Sequence, residues 1–241
     1  MIVLLTVAHI CYRSKVRRGL LCTLVAFAGA ACGDGRGDGN APRDSIRTTP
    51  ASLAPTIPSP APAPTASPAR YRVRVETSKG PFVVEVTRAW APRGADRFHE
   101  LVRIGYFRGV RFFRMVPGFV VQFGIHGDPA VNAVWDTATI PDDPRTTGNT
   151  RGTVAFAASG PGSRATQLFI STGDNRRVLD RQGFAPIGRV VEGLDVVTAL
   201  NAEYGEEPNP IRAVRQGNRY FARWFPALDS IISAMVVTDS R

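Results

Sequence analysis

One stretch decides how much of this chain can fold. Residues 33–70 hold 8 of the 19 prolines, including the Pro-x-Pro run at Pro58, Pro60, Pro62 and Pro64, and Ala, Ser, Thr and Gly fill most of the rest. Such a segment cannot bury enough apolar surface to offset its ordering entropy, so it is expected to stay unfolded and extended. At about 3.1 Å per residue for polyproline II, its upper reach is on the order of 100 Å. It therefore reads as a tether. The residues after it, 71–241, suffice for one substantial core that buries roughly 70% of the unfolded chain's surface.

Ahead of the tether, residues 1–32 read as an export segment. Arg13, Lys15, Arg17 and Arg18 form a positive region, and an apolar run of secretory length follows over residues 19–31. That run is too short for a transmembrane helix, which needs about 20 apolar residues. Small residues close it in Ala28-Gly29-Ala30-Ala31-Cys32. A small residue directly before cysteine resembles the bacterial lipoprotein cleavage box, with Cys32 as the lipidated first residue. Gly29 stands where that box usually has an aliphatic residue. Simple secretion, with Ala28-Gly29-Ala30 as the cleavage site, is the other reading. The apolar stretch 1–11 before the basic cluster is what a start assigned too far upstream would leave.

Charge and cysteine exclude several functions. Of 30 basic residues only Lys15 and Lys79 are lysine. Basic residues outnumber acidic ones 8 to 3 before Tyr71 and 22 to 17 from Tyr71 on, so the excess is spread along the chain and no nucleic-acid partner is expected. Cys11, Cys22 and Cys32 all precede the tether, which leaves the folded part without a disulfide or a thiolate metal site. His9, His99 and His126 are too scattered for a zinc cluster.

Within residues 71–241 the pattern is mainly β. Residues 71–77 alternate with period two, and a second β-rich run over 81–87 follows a short glycine-containing loop, which predicts a hairpin. Pro92 opens a helix with Ala95, Phe98, Leu101 and Val102 on one face, and Gly105 ends it. Strands are predicted over 110–116, 119–125, 153–158, 167–171, 185–191 and 232–238. Residues 126–150 read as irregular. Leu194, Val197 and Leu200 mark a second helix over 192–201, and 218–228 reads as a short one. Many short strands with few helices and no βαβ alternation argue for a barrel or sandwich, with the last strand pairing the first.

The most specific stretch is Phe112-Phe113-Arg114-Met115-Val116-Pro117-Gly118-Phe119-Val120-Val121-Gln122. On two adjacent strands it would set Arg114 and Gln122 over the same patch as Phe119. On spacing alone the simpler reading is that Phe119 is core and Arg114 a solvated strand residue. The stretch closely resembles, however, the core motif of cyclophilins, the peptidyl-prolyl isomerases whose pattern runs F-H-R-x-x-P-G-F-x-x-Q-G. Residues 152–161 leading to 163–170 are similar to the family's G-x-x-x-M-A-x-x-G-P-x-x-x-x-S-Q-F-F-I. Leu179-Asp180, then Phe184 to Gly188 and Val190-Val191-Glu192-Gly193, look like its L-D-x-x-x-x-x-F-G-x-V-x-x-G.

The resemblance implies a closed eight-stranded antiparallel barrel capped by two helices, over residues 71–241, with no cofactor and no metal. It implies isomerisation of X-Pro bonds in proline-containing peptides and in unfolded exported proteins, by a monomer held at a membrane if Cys32 is lipidated. A non-catalytic peptide-binding or chaperone module on the same barrel is the alternative. By motif match Arg114 is the catalytic group, Gln122 its polar neighbour and Phe119 a pocket wall. Phe169 and Leu179 match further wall positions, Val120 the family's methionine, Gln167 a polar neighbour, and Ala157 and Ala158 the strand that pairs with substrate. Departures are Phe113 for the histidine before the arginine, Phe123 for a glycine, and Val178 for the rim tryptophan common in eukaryotic members. Gly183 or Phe184 takes the place of the pocket histidine. Residues 204–228 exceed what a minimal cyclophilin needs.

Overall fold

The computed structural model describes residues 56–61 and 64–237. Cys32 and the whole export segment lie outside the described residues. Eight strands form one antiparallel sheet: β1 (Arg70–Thr77), β2 (Gly80–Thr87), β3 (Arg114–Val116), β4 (Val120–Phe123), β5 (Thr153–Phe156), β6 (Leu168–Ser171), β7 (Pro186–Glu192) and β8 (Ile231–Val237). Their order is β3-β4-β6-β5-β7-β2-β1-β8. The hairpin forms as predicted, and β8 pairs with β1. The two ends of the sheet meet in the single bridge Arg111↔Ser230, with Phe112 N–H donating to Asp229 O at 3.0 Å. The sheet thus curls into a barrel whose seam is a few backbone bonds rather than a ladder.

Alternation explains why these residues close on themselves. In β1, Tyr71, Val73, Val75 and Thr77 are buried while Arg72, Arg74 and Glu76 face outward. The inner side chains join Phe82, Val84, Val86, Val121, Phe123, Val154, Phe156, Leu168 and Ile170 in one cluster. Each such side chain contributes about 1.5–3 kcal/mol on burial. Helix α1 (Pro92–Arg103) lays Ala95, Phe98, Leu101 and Val102 on that cluster and stops before Gly105, whose φ of +73° no β-branched residue adopts easily.

The chain departs from expectation in three places. Residues 126–150 are not wholly irregular: Asp128 caps helix α2 (Pro129–Trp135) by accepting from Ala130 N–H at 2.8 Å. The predicted helix over 192–201 shortens to α3 (Leu194–Thr198), and an unpredicted α4 (Pro210–Gln216) precedes α5 (Asn218–Trp224). There are thus five α-helices among the described residues, where the resemblance implied two.

Third, the Pro-rich stretch is not free up to Arg70. Ile57 packs against the barrel cluster, and Pro58 O accepts from Trp135 Nε1 at 3.0 Å. Ser67 donates to Asp96 Oδ1 from both its N–H (2.8 Å) and its hydroxyl (2.9 Å). Asp96 also takes Arg88 in a two-pronged pair, both bonds 2.8 Å. Burial alone would raise the Asp96 pKa, but the bonds from Arg88 and Ser67 outweigh it and hold the carboxyl below its ordinary value. The low-entropy polyproline backbone needs few such contacts to stay in place.

Candidate active site

The register places four side chains in one row across four strands. Arg114 of β3 pairs with Gln122 of β4, Gln122 with Phe169 of β6, and Phe169 with Ala155 of β5. Since successive side chains of a strand alternate faces, the row points away from the barrel interior while its neighbours Met115, Val121, Ile170 and Val154 point in. A second apolar cluster grows on this outer face: Val120, Ala155, Phe169 and Leu179 are buried, with Phe119, Ala157 and Phe184 packed against them.

The tight Pro117-Gly118 turn aims Phe119. Gly118 has φ +74°, Phe119 N–H donates to Val116 O at 2.9 Å, and the Phe119 carbonyl accepts from Thr172 N–H (2.8 Å) and Asn175 Nδ2 (2.7 Å). A Cβ on Gly173 would stand 2.1 Å from Gly118 O, so only glycine lets the two loops meet. Leu179 comes from a π-helical turn, Arg176–Asp180, which Asn149 ties down through Asp180 Oδ1 and Phe184 O at 2.8 and 2.9 Å. Of Gly183 and Phe184 it is Phe184 that packs on this floor: its ring meets Phe169 edge-on, centroids 5.3 Å apart.

Polar groups edge this apolar floor. The Arg114 guanidinium lies over the Phe119 ring, 5.7 Å from its centroid, and Nη1 donates to Gln122 Oε1 at 3.4 Å. Gln122 Nε2 donates in turn to Gln167 Oε1 at 3.0 Å. An apolar floor bounded by an arginine fork suits a proline ring flanked by amide groups. It offers hydrogen-bond donors to an amide that twists, and needs no nucleophile or general base. Ala157 borders the cluster and donates its N–H to Gln167 O at 2.9 Å. Ala158 lies half-buried outside the cluster, and Val178 is exposed on the π-helical turn beside Leu179.

Two residues of the site escaped the sequence. Ala155 belongs to the floor, and strand alternation from Ala157 was the available signal. Glu206 was not anticipated: Arg114 Nε donates to its Oε1 at 2.7 Å, and Arg114 Nη2 pairs with the same oxygen. The departures find their reasons too. Phe113 stacks on Phe221 with centroids 6.3 Å apart, inside a separate cluster with Ile125, Ala213, Tyr220 and Leu228. Phe123 turns inward against Phe107 and Phe112. His99 and His126 lie against Tyr71 and Tyr106 and outside the pocket cluster; burial lowers both pKa values.

Comparison with known proteins identifies the family. The family described as cyclophilin type peptidyl-prolyl cis-trans isomerase/CLD matches residues 72–216. A peptidyl-prolyl cis-trans isomerase of Acinetobacter baylyi is 31% identical over 151 residues, 58% of this chain and 79% of that protein. Peptidyl-prolyl cis-trans isomerase A of Dickeya dadantii is 30% identical over 146 residues, 59% of this chain and 77% of its own. Among solved structures, a cyclophilin type isomerase of Cryptosporidium parvum superposes with a TM-score of 0.54 at 17% identity, covering 70% of this chain and 99% of that one. Its structure in the presence of the dipeptide Ala-Pro gives a TM-score of 0.52 at 17% identity, with the same coverage of both chains. Fold and matched sequence converge: this chain belongs to the cyclophilin-type peptidyl-prolyl cis-trans isomerases.

Proposed function

We propose that Arg114 is the catalytic group of this isomerase, acting on proline-containing peptides held over Phe119, Val120, Phe169, Leu179 and Phe184. The cross-strand row that joins Arg114, Gln122, Phe169 and Ala155 carries the proposal. An X-Pro amide resists rotation by about 18–20 kcal/mol because the nitrogen lone pair is shared with the carbonyl. Uncatalysed exchange takes tens of seconds or more. The apolar floor binds the ring in either isomer. Guanidinium N–H groups donate to the prolyl nitrogen as it becomes pyramidal, and steady the carbonyl side, so the twisted state gains more than the planar ones. Gln122 orients the fork, Ala157 and Ala158 border the substrate backbone, Gln167 holds Gln122, and Val178 sits at the rim.

The export segment and the tether support an envelope role. The protein is exported, carries lipid on Cys32, works as a monomer without cofactor or nucleic acid, and assists folding of exported or envelope proteins. Two measurements test these statements. In a protease-coupled assay Arg114→Lys keeps the charge but loses the planar fork, and should lose at least about tenfold in kcat/KM. Full activity of that variant would remove the fork from the account. Cys32→Ser protein should move from the membrane to the soluble fraction. Soluble wild type beginning at an alanine would establish plain secretion instead.

A further inference from the structure

The residues that exceed a minimal barrel reach the site. Between α3 and α4 the chain turns through residues 202–207, where Gly205 N–H donates to Ala202 O at 3.1 Å and Glu207 N–H to Tyr204 O at 2.9 Å. Gly205 O then accepts from Met115 N–H at 3.1 Å, so the turn is bonded to β3 one residue from Arg114. On its other side Tyr204 packs edge-on against Phe225, centroids 5.2 Å apart, and its hydroxyl accepts from Ala227 N–H at 3.4 Å. Residue 206 is therefore fixed from both directions, and its carboxylate is delivered to the Nε edge of Arg114.

We propose that Glu206 is a positioning residue for isomerisation, holding the Arg114 fork in the orientation that meets the twisted amide; this rests on Arg114 being the catalytic group. A guanidinium has five N–H donors in one rigid plane. Nε and one hydrogen of Nη2 go to Glu206, one hydrogen of Nη1 goes to Gln122, and the Phe119 ring covers a face. One N–H on each terminal nitrogen is left for substrate. Without Glu206 the fork keeps the long 3.4 Å bond from Nη1 to Gln122 and the face contact with Phe119, neither of which stops it from rotating out of the row.

Stability is a poor reason for this pair. The Glu206 side chain is 61% exposed and that of Arg114 19%, and ion pairs so open to water add little to folding. Orientation is different: a donor held in place before the reaction need not be ordered during it, and small misplacements are costly to rate. The apolar cluster of α4 and α5 with Phe113 and Ile125 then has a task. It is the support from which the turn reaches across to β3.

The test uses the full chain and a proline tetrapeptide, with kcat and KM measured separately. Glu206→Ala should lower kcat about 5–10-fold and leave KM within about twofold, while Glu206→Gln, which keeps an acceptor oxygen, should recover about half of the loss. In an Arg114→Ala background Glu206→Ala should change nothing further. Arg114 Nε–H should give a discrete, slowly exchanging NMR signal in wild type that is lost in Glu206→Ala, which reports the freed fork, while the fall in kcat at constant KM is what a merely structural role would not produce. An unchanged kcat in Glu206→Ala overturns the proposal, and a raised one makes the carboxylate a brake. A further loss in the Arg114→Ala background overturns it as well, since Glu206 would then act independently of Arg114. If Arg114→Ala itself keeps the wild-type rate, the catalytic assignment fails whatever Glu206 does.

Discussion

The sheet has two halves that solve burial differently. On one side β7, β2, β1 and β8 run 7 or 8 residues each, and β1 alternates buried with partly exposed positions. On the other, β3, β4, β6 and β5 run only 3 or 4 residues, yet every residue of β5 and β6 is buried. The long half has one face that builds an apolar cluster, toward the barrel. The short half has two: Val154, Phe156, Leu168 and Ile170 face the barrel, while Ala155 and Phe169 face the pocket floor. A barrel needs only the first face. The second exists because Leu179 of the π-helical turn and the loop residues Phe119, Ala157 and Phe184 pack on it.

Neighbours on β6 give the sharpest contrast. Ile170 is fully buried in the barrel cluster, so Ile170→Ala should cost about 2–5 kcal/mol of stability, read from the denaturant midpoint, with kcat/KM of the folded protein near wild type. Phe169→Ala should lower stability as well, because that ring is also buried, but of the two only it should lower kcat/KM of the folded protein. If that ring is a wall of the proposed proline site, kcat/KM should fall more than tenfold, about 1.4 kcal/mol or more, with both binding and rate affected. A Phe169→Ala protein with full activity but low stability would erase the distinction between the faces.

The long half offers a smaller contrast, where the Pro-rich strap lies on α1 and Trp135. A chain that starts at Tyr71 loses the Ile57 contact, the Trp135–Pro58 bond and the Ser67–Asp96 bonds. It should lose about 1–3 kcal/mol of stability and keep its kcat/KM. A loss of activity at equal stability would link the strap to the site.

Acid should act least, and in two steps. His99 and His126 have pKa values lowered mainly by burial, so the unfolded chain binds protons first; stability is whole above about pH 6.5 and drains as pH falls below it. Asp96 has a lowered carboxyl pKa, so its share is whole above the ordinary value of 3.8 and is lost as pH falls through the lowered one. A urea midpoint that rises on acidification from pH 7 to 5 would contradict the histidine sign, and one that rises on further acidification below pH 3.8 the Asp96 sign.

Much of this fold and site is legible in the sequence. Period-two alternation gives β1 and β2, and Pro92 with Gly105 brackets α1. Arg114, Phe119, Gln122, Phe169 and Leu179 were found through a motif, and the register then put Arg114, Gln122 and Phe169 in one row. What stayed hidden has physical causes. Helices α2 and α4 each begin with an Asp or Asn cap followed by proline, Asp128-Pro129 and Asn209-Pro210, but such dipeptides also open turns. The docked strap was hidden because its composition is that of an unfolded chain; a few contacts from Ile57, Pro58 and Ser67 suffice for a backbone that has little entropy to lose. Glu206 sits 92 residues from Arg114, in a turn whose destination only tertiary packing decides.

The central claim is that Arg114 acts on the twisted amide and not on ground-state binding. NMR exchange spectroscopy of a proline peptide with wild-type and Arg114→Ala protein separates the two, since it reads on-enzyme isomerisation alongside peptide affinity. Loss of one preorganised donor should slow the bound exchange about 10²–10³-fold, about 3–4 kcal/mol, with peptide affinity changed less than about threefold and the circular dichroism of a folded barrel. A folded Arg114→Ala protein that isomerises the bound peptide at the wild-type rate, or that fails only because it no longer binds, would contradict the account.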